Sequence, residues 1–200
     1  MRYIMMPVLL LAVAACSRDA TSTSSSASNV AGKPTRHYGL GRAATSAEVT
    51  ALDIDVGPDG AGLPAGSGSA QQGAALFLAK CAMCHGPKGQ GMPPAFPTLI
   101  GREPKAEGFV FATDFKLTKT IGNYWPHATT VFDYVRRAMP LLQPGSLTND
   151  EVYALTAYLL AANNVVPMSA TLDAASLKQV KMPYAGKFVT DNRRGGNEVK

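Results

Sequence analysis

The stretch CAMCHGPKGQG, from Cys81 to Gly91, decides how the rest of the chain is interpreted, because it places two cysteines two residues apart with His85 directly after the second. Three kinds of chemistry use this pattern. They are a dithiol redox pair, a metal knuckle, and covalent attachment of haem through Cys81 and Cys84 with His85 as the iron ligand. The surrounding sequence distinguishes between them.

The position of the cysteines on a predicted helix argues against dithiol chemistry. Ser69 and Gln72 form a capping box that predicts a helix over residues 70–84, with both cysteines in its last turn. A dithiol oxidoreductase instead carries its cysteines at the N-terminal end of a helix, where the dipole lowers the thiol pKa, usually within a βαβ unit. The apolar face of this helix is predicted to contain Ala75, Leu76, Ala79 and Met83.

A zinc site is equally poorly supported. Tetrahedral zinc needs four ligands, and the adjacent Cys84 and His85 cannot easily bind one ion together with Cys81. The remaining obvious donors are His37 and His127. Haem attachment, by contrast, explains the spacing directly, since two sulfurs meet two vinyl groups at one edge of the macrocycle while the next residue turns its imidazole under the iron.

The N-terminal sequence MRYIMMPVLLLAVAAC predicts export. It has one positive charge, an apolar run and small residues before Cys16, and it is too short for a hydrocarbon core of about 30 Å. Residues 1–15 are therefore interpreted as a signal peptide. The ending resembles the lipobox of bacterial lipoproteins, which predicts that Cys16 is acylated and anchors the protein to a bacterial membrane, facing the periplasm. The alternative is an ordinary secretory signal with an incidental cysteine.

Composition sets limits on the class of protein. Two hundred residues with 46% apolar content fit one modest domain with extensions. The net charge of +5, without basic clusters interleaved with aromatics, argues against nucleic acid as a partner. The chain has three cysteines, so lipid on Cys16 and two haem thioethers would leave no spare thiol in an oxidising compartment.

The mature chain divides by composition into four segments. Residues 16–36 contain almost nothing to bury and are predicted to be a disordered tether with a mean reach of roughly 25 Å. Residues 37–68 are predicted to be an arm laid on the domain, with a flexible linker as the alternative. A compact domain is assigned to residues 69–165, and residues 166–200 to an irregular C-terminal extension with a disordered tail.

Three main helices and no competing strand pattern predict an all-α fold. After the helix over residues 70–84, a second is predicted from Thr130 to about Ala138, and a third follows the capping box of Thr148 and Glu151. The third helix is predicted to place Val152, Leu155 and Leu159 on an apolar face and to stop at Asn163 and Asn164. In the arm, Thr45 and Glu48 form another capping box for a short helix, and residues 57–60 form a turn.

The chain resembles class I cytochromes c, and this resemblance implies one covalent haem c. In that family a P-x-L-x-G loop brings the proline carbonyl onto the ring N–H of the proximal histidine, which assigns the role to Pro97. An ordinary apolar loop is the alternative. The resemblance also assigns the distal ligand to Met139, which ends a helix before Pro140, with Met182 and His127 as the alternatives.

A longer resemblance covers residues 38–183 and is carried by IGNYWPHATTVFDYVRRAMP, the arm sequence and PGSLTNDEVYALTAYLLAANN. These stretches are similar to the cytochrome c subunits that partner the molybdenum subunit in Sox sulfane dehydrogenase and in sulfite dehydrogenase. The resemblance implies an electron-transfer subunit with no catalytic residues of its own. It also implies that Trp125 and Tyr124 flank the haem edge or a propionate, with core packing as the alternative for Trp125.

Three functions therefore follow as hypotheses. The first is the electron acceptor of a molybdopterin sulfite or sulfane dehydrogenase subunit, passing electrons to another cytochrome c or an oxidase. The second is a free-standing, lipid-anchored shuttle to a terminal oxidase, or to or from another periplasmic dehydrogenase. The third is a haem enzyme or gas sensor, which requires that Met139 leave the iron readily.

Overall fold

The computed structural model describes residues 40–104 and 110–191. Residues 44–200 form one compact unit, and residues 40–43 of a separate unit (1–43) contain no helix or strand. Several predictions lie outside the described residues: the signal peptide, the acylation of Cys16, the tether, the start of the arm at residues 37–39, and the tail at 192–200.

Helices make up most of the regular structure in the described residues. In order, the elements are α1 (Ser46–Leu52), β1 (Ser67–Ser69), α2 (Ala70–Lys80), α3 (Ala82–His85), α4 (Ala128–Ala138), α5 (Asn149–Ala162), β2 (Thr171–Asp173) and α6 (Ala174–Gln179), with 3₁₀ turns at Val110–Ala112 and Ala185–Lys187. No helix in the described ranges is both long and apolar enough to cross a membrane. The prediction of an all-α fold is confirmed, with one small sheet added.

All three predicted capping boxes form. Thr45, Ser69 and Thr148 each accept a hydrogen bond from the backbone N–H three residues on, and the side chain of that residue bonds back to the cap. Each cap satisfies N–H groups that have no partner within the helix, a contribution of about 1 kcal/mol. These short-range signals set the starts of α1, α2 and α5.

Helix α2 differs from its prediction in two respects. It ends at Lys80 and restarts as α3, because Cys81 leaves helical geometry with φ −120°. The buried residues of α2 are Ala70, Gly73 and Phe77, whereas the predicted face residues Ala75, Ala79 and Met83 are exposed. Glycine explains the second difference: a Cβ on Gly73 would lie 1.9 Å from the carbonyl oxygen of Ala154 in α5. The helix therefore buries the face that lets the two backbones meet.

Helix α5 is the centre of the domain. Nine of its fourteen residues are buried, including the predicted core residues Val152, Leu155 and Leu159. It packs against α2 on one side and α4 on another. It ends at Ala162, before Asn163, and Asn164 adopts φ 55°, as the predicted stop signal implies. A helix surrounded on most sides is apolar nearly all round.

The extensions are more regular than the sequence indicates. Strand β1 pairs antiparallel with β2, joining Ser67 to Asp173 across the sheet, although the two lie about a hundred residues apart. Asp173 then caps α6, whose Leu177 is fully buried. Strands of three residues are too short to show an alternating pattern of apolar and polar residues, so they could not be predicted from periodicity.

The second half of the arm is held against the domain. Val56 belongs to the hydrophobic core. The hydroxyl of Tyr153 donates to the carbonyl of Pro64 at 2.8 Å, and the N–H of Ser67 donates to Asp150 at 2.8 Å. Residues 54–68 of the arm thus pack and hydrogen-bond against the helical domain.

Candidate functional site

An apolar cavity of about 290 Å³ lies between α2, α4 and α5. Its walls are formed mainly by aliphatic and aromatic side chains, among them Phe77, Ile121, Val131, Val135, Leu155 and Leu159. Cys81, Cys84, His85 and Pro97 also line it, as do Met139 and Pro140. The structure therefore brings six of the seven predicted site residues to one apolar space: Cys81, Cys84, His85, Pro97, Trp125 and Met139.

The imidazole of His85 is oriented by the loop that follows it. Its Nδ1 atom lies 3.0 Å from the carbonyl oxygen of Pro97. Because a carbonyl only accepts, Nδ1 carries the proton and Nε2 keeps its lone pair. The ring also packs edge-on to Phe96, with 6.3 Å between centroids. The contact predicted for Pro97 is present, and it prepares Nε2 to bind a metal.

Glycines allow this loop to approach the histidine, a role that the sequence analysis missed. Gly91 has φ +73°, and a Cβ there would lie 2.7 Å from the backbone of Pro97. Its N–H donates to the carbonyl of His85 at 2.8 Å. Gly89 also has positive φ, and its carbonyl accepts from the N–H of Leu99 at 2.8 Å. The signal was available in the spacing of GPKGQG, since only glycine adopts such angles without strain.

Both cysteines are free thiols at the cavity wall. Burial raises the pKa of the Cys81 thiol to about 11, against the opposing effect of the Lys80 charge. A thiol exchange centre needs a thiolate, so this environment is unsuited to dithiol redox chemistry. In the described ranges no group of three or more His, Cys, Asp or Glu side chains could hold a metal ion, which also argues against the zinc alternative.

Met139 approaches the cavity from the end of α4. It is the C-cap residue, with extended backbone at φ −124° and ψ 146°. Met182 is buried in the core instead, and His127 is exposed at the start of α4. Neither of these alternatives lines the cavity, and neither do Met83, Met92 or Met168, all of which are exposed. Among the described methionines, Met139 is therefore the one that lines the cavity.

Trp125 and Tyr124 occupy different environments. Trp125 lines the cavity, and its indole N–H donates to the hydroxyl of Thr130 at 2.8 Å. Tyr124 lies away from the cavity, with its ring edge-on to Phe111 and to Phe188. Of these two adjacent residues, only Trp125 therefore lies at the predicted site, and Tyr124 lies outside it.

Comparison with known proteins agrees with this geometry. The family described as cytochrome c matches residues 70–163. A chain in the crystal structure of the sulfane dehydrogenase SoxCD from Paracoccus pantotrophus is 41% identical, with a TM-score of 0.66, and the match covers 78% of this chain and 74% of that one. The chain belongs to the class I cytochrome c family. No curated protein sequence matches this cytochrome.

Membership of the family implies a covalently bound haem c and an electron-transfer role, and the residues of this cytochrome fit such a group. The cavity is apolar, as a porphyrin requires, and its wall holds two thiols in the C-x-x-C-H spacing. His85 presents an unprotonated Nε2, because Pro97 fixes the proton on Nδ1. The thioether of Met139 lines the same space.

A buried polar network supports the Pro97 loop from behind. Asn163, only 1% exposed, accepts from the N–H of Gly101 at 2.9 Å and donates to the carbonyls of Leu99 and Leu159 at 3.2 and 2.8 Å. The hydroxyl of Thr120 donates to the carbonyl of Gly101. The loop that orients His85 is thereby tied to the end of α5. The sequence analysis treated Asn163 only as a helix stop signal.

Proposed function

We propose that this cytochrome is a monohaem subunit that accepts electrons from a molybdenum sulfite or sulfane dehydrogenase and passes them to another cytochrome c or an oxidase. The observation that carries the proposal is the extent of the match to the SoxCD chain. The match covers 78% of this chain, whereas residues 70–163 make up less than half of the sequence. The match must therefore extend beyond residues 70–163. The similarity therefore includes part of the extensions as well as the haem domain.

The proposed ligation follows from the cavity. Cys81 and Cys84 would hold the haem through thioether bonds, formed by addition of their S–H groups to its two vinyl groups, and His85 Nε2 and the Met139 sulfur would bind its iron. When bound, the haem supplies a one-electron couple, and thioether ligation places its potential in the upper part of the range of roughly 0.8 V open to haem proteins. Two protein ligands leave no open position on the iron, which favours electron transfer over oxygen chemistry.

Export and anchoring form a second part of the proposal, supported by the N-terminal sequence alone. The signal-like residues 1–15 and the lipobox-like ending at Cys16 are consistent with a lipid-anchored protein on the periplasmic side of a bacterial membrane. The polar residues 16–36 would give the haem domain a reach of roughly 25 Å from that membrane. Mass spectrometry of the mature N-terminus tests this part directly.

The decisive experiment joins isolation with kinetics. The full chain, matured with haem in a competent host, is used as bait on membranes and periplasm of the native organism. Recovery of a molybdopterin protein, and haem reduction by sulfite or a sulfane donor only when that protein is added, are the expected results. A Cys81→Ser, Cys84→Ser double variant, which cannot form thioether bonds, is the matched control. Direct reduction by sulfite without any partner would contradict the proposal.

The second candidate is a free-standing, lipid-anchored shuttle, favoured by the lipobox-like Cys16 and the single C-x-x-C-H motif. A shuttle would be monomeric and would be reduced at similar rates by unrelated donor proteins. Sedimentation of the purified protein, combined with stopped-flow reduction by several donors, separates this candidate from the first.

A further inference from the structure

The arm forms a regular set of hydrogen bonds with α4, the helix that ends at Met139. The hydroxyl of Thr129 donates to the carbonyl of Pro58 at 2.9 Å. The carboxylate of Asp133 accepts from the N–H of Val56 at 2.8 Å. The guanidinium of Arg136 donates to the carbonyl of Ile54 at 2.9 Å. Residues 54–58, which we call the strap, thus form a hydrogen bond with α4 at every second residue.

The spacing shows that the strap follows one face of the helix. Residues 129, 133 and 136 are separated by four and three positions, which places them in one row along α4. As the helix runs forward from 129 to 136, the strap runs backward from 58 to 54, so the two segments are antiparallel. The last of these bonds lies in the final turn of the helix, directly before Met139.

The opposite face of α4 lines the cavity. At 100° per residue, Val131 lies roughly 165° and Val135 roughly 125° around the helix from the row that binds the strap, and both border the cavity. The helix is therefore held between the strap on one side and the proposed haem site on the other. Asp133 is 9% exposed and also binds Arg137, with its carboxylate oxygens 2.8 and 2.5 Å from the guanidinium nitrogens.

We propose that the strap is a positioning element for Met139: through Thr129, Asp133 and Arg136 it fixes α4 so that the thioether stays on the iron. This inference rests on the proposed ligation by His85 and Met139. The strap lies outside residues 70–163, so the element that holds the distal ligand comes from the extension and not from the matched haem domain. These three residues act through α4 and touch no reacting atom.

Carbon monoxide binding to the ferrous protein measures this role, because the gas enters only when Met139 leaves. Asp133→Leu removes the acceptor for Val56 and should speed carbon monoxide binding about ten- to a hundredfold, the factor expected from losing a hydrogen bond to a charged group. Thr129→Val and Arg136→Met, each removing one bond, should speed it several-fold. Asp133→Asn keeps a carbonyl oxygen for Val56 and should restore most of the native rate.

Ser69→Ala is the matched control, because it weakens the cap of α2 without touching the strap. Urea unfolding of every variant gives its global stability alongside the binding rate. The expected result is faster binding in the strap variants and an unchanged rate in Ser69→Ala. Native rates in the strap variants, or an equal acceleration in Ser69→Ala for the same loss of stability, would overturn the inference.

The unaltered protein separates this inference from the ligation on which it rests. If the native ferrous form binds carbon monoxide slowly and Met139→Ala binds it rapidly, the thioether is an iron ligand. This result does not depend on the behaviour of the strap variants. Rapid binding by the unaltered protein would instead refute ligation by Met139. Hydrogen exchange adds a readout without the gas: the Val56 amide should exchange faster in Asp133→Leu than in Asp133→Asn.

Discussion

Replacing Asn163 with alanine is expected to destabilise the haem-loaded protein by about 2–4 kcal/mol. The carboxamide is almost fully buried and makes three hydrogen bonds, to Gly101, Leu99 and Leu159. Alanine leaves the N–H of Gly101 and the carbonyl of Leu99 without this partner. Each such loss costs about 1–3 kcal/mol, and because both residues are only partly buried, water offsets some of it.

Urea denaturation of Asn163→Ala provides the measurement, with Asn164→Gly as the matched control. Asn164 is the exposed neighbour with φ 55°, an angle that glycine accepts, so this change should stay within about 1 kcal/mol. The amide hydrogen of Gly101 should also exchange faster in Asn163→Ala than in the native protein. A loss below about 1 kcal/mol, or one equal to the control, would refute the reasoning that Asn163 holds the Pro97 loop.

Three further outcomes are expected. Gly73→Ala should cost about 1–3 kcal/mol or more in thermal unfolding, since its Cβ would collide with the Ala154 carbonyl, whereas Gly186→Ala, with open space around it, should be nearly neutral. Thr156→Val should raise stability by about 1 kcal/mol, because the buried Thr156 hydroxyl has no hydrogen-bond partner in the described structure. The bond from Arg137 holds the pKa of Asp133 below its usual value. A carboxylate with a lowered folded-state pKa stabilises the fold above its unfolded pKa of about 4 and loses that contribution as acid protonates it. As the pH is lowered from 7 to 3, the urea concentration at the midpoint of unfolding should therefore fall less steeply in Asp133→Asn than in the native protein.

Features decided by short-range chemistry were predictable from the sequence. The capping boxes at Thr45, Ser69 and Thr148 depend on residues three positions apart, and all three form. The contact between His85 and the Pro97 carbonyl depends on a loop of twelve residues whose spacing carries the information. In each case the interacting groups lie close together in the chain, so few alternative partners compete.

Features decided by distant partners were not predictable. Nothing in SGS or TLD shows that β1 and β2 pair, because each strand has only three residues. The buried face of α2 was predicted from side-chain hydrophobicity, but the close approach of Gly73 to Ala154 sets it. The resemblance implied that Tyr124 flanks the haem together with Trp125, whereas its ring packs against Phe111 and Phe188.

The ladder between β1 and β2 has a consequence for how such a domain can be reused. Strand β1 leads straight into α2 and β2 follows α5, so the point where the chain enters the haem-binding fold lies beside the point where it leaves. Domains with neighbouring ends can be duplicated in tandem or spliced into a larger polypeptide without disturbing their interiors. The haem-binding domain can therefore be joined to different flanking sequences without a change in its interior.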